Sequence, residues 1–478
     1  MTAVGEAVID LSPAAATRWA IEVFGSHDKA VLRAGILLLL GLAAALLGLL
    51  ATRRRPAGPV GAGAFGAVGV AAALTRPGAG PADALPALCA AVAAGGVLAL
   101  LTARLRPAPE AAPSTGPARR RFLAAASGTA AASALAGLLG GRWRAAQDAA
   151  AEASRAATVI PPADAPAAPV PAGASLDVPG LGPFLTPNRD FYRIDTALRV
   201  PRVDAEGWRL RIHGIGVPRE VILGYQDLLR RELVERDITL TCVSNPVGGR
   251  LVGNARWTGV RLAELLREAG VRAPSEGGRA DQLLARSVDG MTLGSPVEAL
   301  LDGRDALLAV AMNGEPLPFE HGFPVRMVVP GLYGYVSACK WLTELELTTF
   351  AAWDAYWVRR GWAAEGPVKT QSRIDTPRPA DRLRPGTVPV AGVAWAQHTG
   401  ISRVEVRVDG GPWQEATLAE QDTVDTWRQW VWYWAATEGE HEVQVRATDR
   451  DGVVQTESEA PANDGATGWH RVRVRVAP

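Results

Sequence analysis

A cysteine and several basic side chains lie in two glycine-rich loops in the second half of the chain. Cys242 follows the stretch ITLT at 238–241, which predicts a short buried strand that ends at the thiol. The residues after it are rich in Gly, Pro and Asn, and Lys340 lies in a second glycine-punctuated loop. Soft metals prefer thiolate ligands, whereas loop N–H groups and guanidinium groups bind phosphate. The pattern suits a soft metal beside an anionic group; a buried structural cysteine, or a disulfide with Cys339, is the simpler alternative.

The amino-acid composition differs between the first third of the chain and the remainder. The 478 residues carry a formal net charge of +1, so charge predicts neither a nucleic acid nor an acidic partner. The first third is rich in Ala, Leu and Gly, and the remainder predicts about two soluble domains. The chain has only three cysteines, Cys89, Cys242 and Cys339, so no disulfide framework is expected.

Four apolar segments predict a membrane anchor: 31–50, 60–74, 84–101 and 122–139. Arginines cluster at 53–55, after the first segment, and at 104, 106 and 119–121, between the third and fourth. The positive-inside rule places both clusters in the cytoplasm and both chain ends outside, so we expect a multi-pass protein of the cell membrane with extracytoplasmic soluble domains. The four segments contain no histidine, so they cannot hold a bis-histidine haem.

The sequence RRRFL at 119–123 precedes an apolar run of Ala, Ser and Gly. This order is typical of a twin-arginine export signal, which here is internal. The alternative is an ordinary positively charged flank of the fourth segment.

The periodicity predicts an N-terminal tail (1–30), an α-helical transmembrane region (31–141) and an Ala/Pro-rich linker (142–183) that cannot bury enough surface to fold. Strand and helix patterns then alternate over 184–375, which predicts an α/β (α+β) domain with a helix over 260–269. Period-two alternation and Asp-Gly turns over 376–478 predict an all-β, immunoglobulin-like sandwich.

Three stretches of the soluble part resemble the sulfite oxidase-type molybdenum enzymes. They are FYRIDT at 191–196, Cys242 with GNARWTG at 253–259, and MNGEPLP, HGFPVR and KWL between 312 and 342. The sandwich, with DGGPW at 409–413 and WHRV at 469–472, resembles the C-terminal dimerisation domain of that family. The resemblance covers roughly the last 290 residues and implies both the fold and a possible homodimer.

The resemblance also implies a cofactor, Mo-molybdopterin, and residues that bind it. Cys242 is expected to bind the metal, Arg193 to lie on the substrate side, and Asp289 and Ser295 to form a further contacting loop. A phosphate needs several donors, which a guanidinium, an ammonium and loop N–H groups supply. The expected cofactor-binding residues are Asp195, Thr196, Asn254, Arg256, Asp289, Ser295, His321, Arg326, Ser337, Cys339 and Lys340.

Two positions depart from the family pattern. Trp362 occupies the place of the active-site tyrosine, and it is retained as a candidate catalytic residue. The segment 461–468, around Asp464, lacks the second anion-binding arginine. Sulfite is a small dianion that requires converging positive charge, so these changes predict a different substrate.

We therefore expect a membrane-anchored oxidoreductase that transfers an oxo group to or from a small sulfur or nitrogen substrate on the outer face of the membrane. The chain contains no haem motif or Cys-x-x-Cys pair, so a separate electron partner, a cytochrome or membrane redox protein, is expected. The alternatives are a reductase similar to periplasmic methionine-sulfoxide reductases, which lack a C-terminal sandwich, and a metal-free adhesion scaffold.

Overall fold

The computed structural model describes residues 28–54, 56–75, 80–105, 115–379 and 381–478, and a few positions before residue 25. Two compact units divide the chain: Met1–Ala149 with Thr196–Val200, and Ala150–Asp195 with Pro201–Pro478. Most of the predicted N-terminal tail, together with Arg55 and Arg106 of the predicted basic clusters, lies outside the described residues.

All four predicted apolar segments form helices that are long and apolar enough to cross a membrane. Small residues let two of these helices pack closely, because a Cβ atom on Gly66 would lie 2.4 Å from the Cβ atom of Ala91. The large apolar side chains of these helices are mostly exposed, as expected for surfaces that contact lipid. The helices are α1 (Asp28–Arg53), α2 (Ala57–Leu74), α3 (Leu85–Leu105) and α4 (Thr115–Ala157).

The mixed part of the second unit contains two separate sheets. Its strands are rich in buried Val, Leu and Ile, and β7 is buried along its whole length. The strands are β1 (Arg209–Gly214), β2 (Val221–Gly224), β3 (Val234–Thr241), β4 (Val252–Arg261), β5 (Gln282–Ser287), β6 (Thr292–Pro296), β7 (Leu307–Met312), β8 (Glu315–Pro316), β9 (Arg326–Val328) and β10 (Leu342–Thr348).

The order in one sheet is β2-β1-β10-β5-β6, and in the other β3-β4-β7-β8, with β9 paired to β7. Only β1 and β10 pair in parallel among these strands. Short helices cover the sheets: α5 (Tyr225–Leu229), α6 (Leu262–Glu268), α7 (Val297–Leu301) and α8 (Gly334–Ser337). The predicted start of α6 at Val260 is wrong, because Val260 and Arg261 continue β4 and pair with β7.

The C-terminal part is all-β, as the period-two alternation predicts. Two sheets, of order β11-β13-β17-β16 and β12-β19-β18-β14-β15, enclose one apolar core, and their strands pair antiparallel except for β12 and β19. Trp430 is fully buried in that core. The strands are β11 (Gln371–Thr376), β12 (Arg382–Leu383), β13 (Gly386–Trp395), β14 (Ile401–Val408), β15 (Gln414–Glu415), β16 (Thr417–Leu418), β17 (Arg428–Ala436), β18 (Gly439–Asp449) and β19 (His470–Val476).

The segment predicted as an unfolded linker, 142–183, differs most from expectation. Helix α4 continues through its first part to Ala157. The remainder packs along the second unit: Ala165 forms a bridge with Val234, and Ala174 is fully buried. The prediction fails because the segment does not need a core of its own, since it uses the surface of the folded domains.

Candidate active site

Cys242 lies at the carboxyl end of β3, where the chain leaves the buried sheet. Its backbone N–H donates to the carbonyl of Leu251 at 2.9 Å, and its carbonyl accepts the N–H of Asn245 at 3.0 Å, so the following loop folds back on the strand. The residue is 8% exposed, and burial raises the pKa of the thiol despite hydrogen bonds to Ser244. A bound soft cation is the partner that stabilises a thiolate in such a place.

The C-terminal sandwich fixes the same strand. The hydroxyl of Thr239 accepts the backbone N–H of Trp427 at 2.7 Å. Gln397 donates from Nε2 to the carbonyl of Thr239 at 3.0 Å and to the hydroxyl of Thr241 at 2.8 Å. Both domains therefore position the thiol that follows.

Cys242 and Cys339 are both buried and both free. Burial raises the pKa of the Cys339 thiol, and its Sγ atom lies 3.8 Å from the carbonyl oxygen of Lys340. A disulfide between the two cysteines is therefore not formed.

Arg326 is a buried cation with no acidic partner among the residues that the structure describes. Its Nη1 atom donates to the carbonyl of His321 at 3.1 Å, its guanidinium lies 5.0 Å from the ring centre of Trp257, and its Nε atom has no hydrogen-bond partner. Burial lowers the pKa of Arg326 to about 10. A buried guanidinium without a counter-charge is energetically costly, and an anion would satisfy it.

Two further cations share one buried carboxylate. Asp195, whose side chain is 4% exposed, lies 2.8 Å from the Nζ atom of Lys340 and 2.8 Å from the Nε atom of Arg193. Burial lowers the pKa of Lys340 to about 8, although Asp195 opposes this shift. One carboxylate between two cations leaves this group with excess positive charge.

His321 lies beside these cations as a neutral imidazole. Arg193, Asp195, His321, Arg326 and Lys340 are called the basic group below. Burial lowers the pKa of His321 to about 4, so its Nε2–H donates to the carbonyl of Asn188, at 2.9 Å. The next residue, Gly322, has a φ of +110°, and a Cβ atom there would lie 3.1 Å from the Cα atom of Lys340. Glycine therefore allows the two loops to meet.

A cavity of about 710 Å³ opens beside this group. Its lining combines aromatic rings with cations, which suits an anionic organic molecule with a flat ring system. The lining includes Arg155, Phe191, Arg193, Arg202, Phe319 and His321.

Other predicted residues have their polar groups engaged within the protein. Asn254 bonds to Thr239 and to the carbonyl of Phe184, and Arg256 forms an ion pair with Asp237 at 2.7 Å. The hydroxyls of Ser295 and Ser337 donate to backbone carbonyls of the second loop, Asp289 accepts the N–H of Met291 at 3.2 Å, and Thr196 directly follows Asp195 in the chain. The structure therefore brings together Arg193, Asp195, His321, Arg326 and Lys340.

Trp362 packs in a cluster of aromatic rings at the edge of the second loop. Its ring centre lies 5.6 Å from that of Tyr335 and 5.2 Å from that of Trp357. Tyr335 follows Gly334, where a Cβ atom would lie 3.7 Å from the carbonyl oxygen of Thr241. The cluster is thus connected to the backbone beside Cys242.

Sequence reasoning missed three side chains that lie near Cys242 or Asp464. Lys369 donates to Asp464 at 3.0 Å, so a cation does lie beside the segment that lacks an arginine. The hydroxyl of Tyr333 accepts the N–H of Lys369 at 3.3 Å, and burial, Asp464 and Cys242 raise the pKa of Tyr333 to about 12. Burial and then Cys242 raise the pKa of Tyr192. Only the position of Tyr192 beside Arg193 in the FYRIDT stretch could have indicated one of them.

Two family models match the second unit. The oxidoreductase molybdopterin binding domain matches residues 197–357, and the Mo-co oxidoreductase dimerisation domain matches residues 364–477. Together they cover the mixed domain and the sandwich, including Cys242, His321, Arg326 and Lys340. Arg193 and Asp195 precede the first match.

Curated relatives agree with these matches. The chain is 32% identical to sulfite oxidase of Gallus gallus over 340 residues, which cover 60% of this chain and 72% of the relative. It is 30% identical to mitochondrial sulfite oxidase of Rattus norvegicus over 342 residues, 62% of each chain. The chain therefore spans somewhat less than two thirds of the mammalian relative's length.

A solved structure shares the fold over more than half of the chain. The sulfane dehydrogenase SoxCD of Paracoccus pantotrophus aligns with 62% of this chain and 85% of its own, at 25% identity and a TM-score of 0.52. The chain has a thiol at a strand end, a basic group that can bind an anion, and matches to both domains. It therefore belongs to the sulfite oxidase-type family of molybdopterin-dependent, molybdenum-containing oxidoreductases.

Proposed function

We propose that the protein is a membrane-anchored molybdenum oxidoreductase that transfers an oxo group at a small sulfur or nitrogen centre, with a substrate pocket that differs from that of sulfite oxidase. The observation that carries the proposal is the buried Arg326, which lacks an acidic partner among the described residues and donates to the carbonyl of His321, a residue that lines a cavity of about 710 Å³. The similarity to a sulfane dehydrogenase favours sulfur as the reacting atom.

The residues present fit the family's cofactor. The neutral His321, whose only ring N–H is donated to Asn188, offers its Nδ1 atom as an acceptor, whereas Arg326 supplies a buried cation with an unpaired Nε atom and Lys340 supplies a second. These donors would hold the pterin and its phosphate, and the Cys242 thiolate would bind the metal. A chain that binds no anion would gain nothing from burying Arg326, so the metal-free scaffold is disfavoured.

The bound cofactor supplies two-electron oxo-transfer chemistry. The chain positions and shields it: β3 and the sandwich fix the thiol, and the buried loops around Gly322 and Gly334 exclude water. On the substrate side, the Tyr333 hydroxyl and the Lys369 ammonium are the groups that can orient an oxygen atom of the substrate.

The substrate pocket has little net charge. Lys369 is neutralised by Asp464, and Trp362 offers only an N–H donor in place of a phenol hydroxyl. A dianion needs converging cations that this arrangement lacks. We infer that the substrate is neutral or singly charged and larger than sulfite.

Sulfite is therefore expected to be a poor substrate. We expect kcat/KM with sulfite and an artificial one-electron acceptor to fall below the typical range of roughly 10⁴–10⁸ M⁻¹s⁻¹. Asp464→Asn should raise it about fivefold by removing the charge that neutralises Lys369, since such a partly exposed pair is worth at most about 1 kcal/mol. Trp362→Tyr alone should not restore sulfite oxidation, because it adds no charge.

Steady-state kinetics across ionic strength check this expectation. Asp451→Asn is the matched control, because Asp451 is an exposed carboxylate on a turn of the same domain. Wild-type turnover of sulfite within the typical range, or an equal effect of both Asn variants, would contradict the proposed pocket.

We propose that the four apolar helices cross the membrane and that the second unit lies on the outer face. Reporter fusions after Arg55 and Arg121 are expected to be cytoplasmic, and those after Ala82 and Pro478 external, because arginine clusters remain inside. A cytoplasmic C-terminus would overturn this topology.

The export route has its own test. Replacing Arg119 and Arg120 by lysine keeps the charge, and hence the orientation, but removes an arginine-specific signal. Accumulation of unexported protein is expected if 119–123 is a twin-arginine signal, whereas unchanged export would make it an ordinary flank.

Two partners complete the proposal. The match to a dimerisation domain supports a homodimer formed through the sandwich, whose two packed sheets also fit an immunoglobulin-like assignment. Electrons would pass to or from a separate cytochrome or membrane redox protein, because the sequence holds no haem motif. The periplasmic methionine-sulfoxide reductases lack a C-terminal sandwich, so its presence here favours the sulfite oxidase branch over a sulfoxide-type reductase.

A further inference from the structure

The last turns of α4 belong to the second unit rather than to the membrane region. Residues Ala150–Ala157, called the stem below, lie beyond the apolar span predicted at 122–139 and form one compact unit with the mixed domain. Ala151 is 2% exposed. The stem therefore packs on the domain and is more than a spacer.

Arg155 ties the stem to the segment that leads to His321. Its Nη2 atom donates to the carbonyl of Pro316 at 2.7 Å, and its Nε atom donates to the carbonyl of Leu317 at 2.8 Å. The side chain is 27% exposed, so these bonds are partly shielded from water. Two donors on one planar group fix the direction of the segment, which a lysine could not do.

Glu152 makes a second connection on the same side of the stem. It pairs with Arg202 at 2.6 Å, and the guanidinium of Arg202 lies 4.5 Å from the ring centre of Phe319. The hydroxyl of Ser154 accepts the N–H of Ala205 at 3.1 Å. The stem is thus held on both chain segments that border the cavity.

The stem also lines the cavity itself. Glu152 and Arg155 form part of its wall, which Arg193 and His321 of the basic group also line. Four arginines line the space together with three glutamates, so the wall offers several guanidinium donors to an anionic ligand. Removing the stem would open this wall to solvent.

We infer that the stem is a wall of the cofactor cavity and that Arg155 is a positioning residue that retains the cofactor through the His321 segment. The helix that carries the fourth apolar span would then also close the pterin site. This inference rests on the proposed cofactor site. The simpler alternative is a packing contact that stabilises the domain without affecting the cofactor.

The test uses full-length Arg155→Ala protein and follows the loss of molybdenum and of pterin fluorescence during dialysis against a chelator. We expect the cofactor to be lost about 10- to 100-fold faster than from wild type, as for other groups that support direct ligands. Arg144→Ala is the matched control, because Arg144 is an exposed arginine on the same helix. Glu152→Gln should also speed cofactor loss, with a smaller effect, and it takes the place of Arg155→Ala in the test if that variant does not fold.

The outcomes separate this inference from the proposed function. Fast loss from Arg155→Ala or Glu152→Gln, with wild-type retention in Arg144→Ala, supports the stem as a cavity wall. Retention equal to wild type in the folded stem variants overturns the inference alone, even if their melting temperature falls. Wild-type protein that holds neither molybdenum nor pterin overturns both proposals.

Discussion

Cys242→Ser is expected to abolish turnover while leaving the fold nearly intact. Serine is close to cysteine in volume, and the strand is fixed by backbone bonds and by Gln397 and Trp427, none of which involves the Sγ atom. The change replaces a soft anionic ligand by a neutral hydroxyl. The loss in kcat should exceed the roughly 10- to 100-fold cost of changes outside the direct ligands. Steady-state kinetics and near-ultraviolet circular dichroism measure the two effects.

Cys339→Ser is the control for this prediction. Cys339 is 1% exposed and its thiol contacts only a backbone carbonyl among the hydrogen bonds described, so its replacement should largely spare activity. Substantial activity of Cys242→Ser, or an equal loss of activity from both changes, would contradict the assignment of Cys242 as the metal ligand.

Arg326→Met is expected to remove the cofactor and yet leave the cofactor-free protein at least as stable as wild type. The guanidinium is buried without an acidic partner among the described residues, so an apolar side chain of similar length relieves a desolvation cost. Replacements of buried charges by well-packed apolar groups can stabilise by about 1–4 kcal/mol. Molybdenum per chain and thermal unfolding of the cofactor-free protein provide the two measurements.

Arg256→Met should show the opposite pattern. Its guanidinium pairs with Asp237, whose side chain is 2% exposed, so the change leaves a buried carboxylate unpaired. Because Arg256 is partly solvated, the destabilisation should lie somewhat below the roughly 3–5 kcal/mol of fully buried pairs. A normal molybdenum content in Arg326→Met would refute its role in cofactor binding.

The sequence by itself determined most secondary-structure elements and the place of the thiol. Period-two alternation over 376–478 predicted the all-β C-terminal part, and four apolar stretches predicted α1 to α4. These features depend on which side of an element is buried, and periodicity records that locally. The strand before Cys242 ends in Ile, Thr, Leu and Thr, which favour a strand, so the thiol could be placed at a strand terminus in advance.

The roles of the two arginines were not visible in the sequence. Arg256 and Arg326 lie in equally distinctive stretches, and both were expected to bind the cofactor. The structure pairs the first with Asp237, 19 residues away, and leaves the second without an acid among the residues described. Whether a cation is neutralised depends on which carboxylate the folded chain brings to it, and no local pattern encodes that.

Three other features were decided only by the tertiary structure. Lys369 meets Asp464 across 95 residues, Arg155 meets Leu317 across 162, and the Ala/Pro-rich segment after α4 lies against the folded domains. Each depends on a surface made by elements distant in sequence. Whether a cation is neutralised is decided by such distant neighbours, so the sequence determined the cofactor chemistry, whereas the fold decided which cations are paired with acids and what covers the Ala/Pro-rich segment.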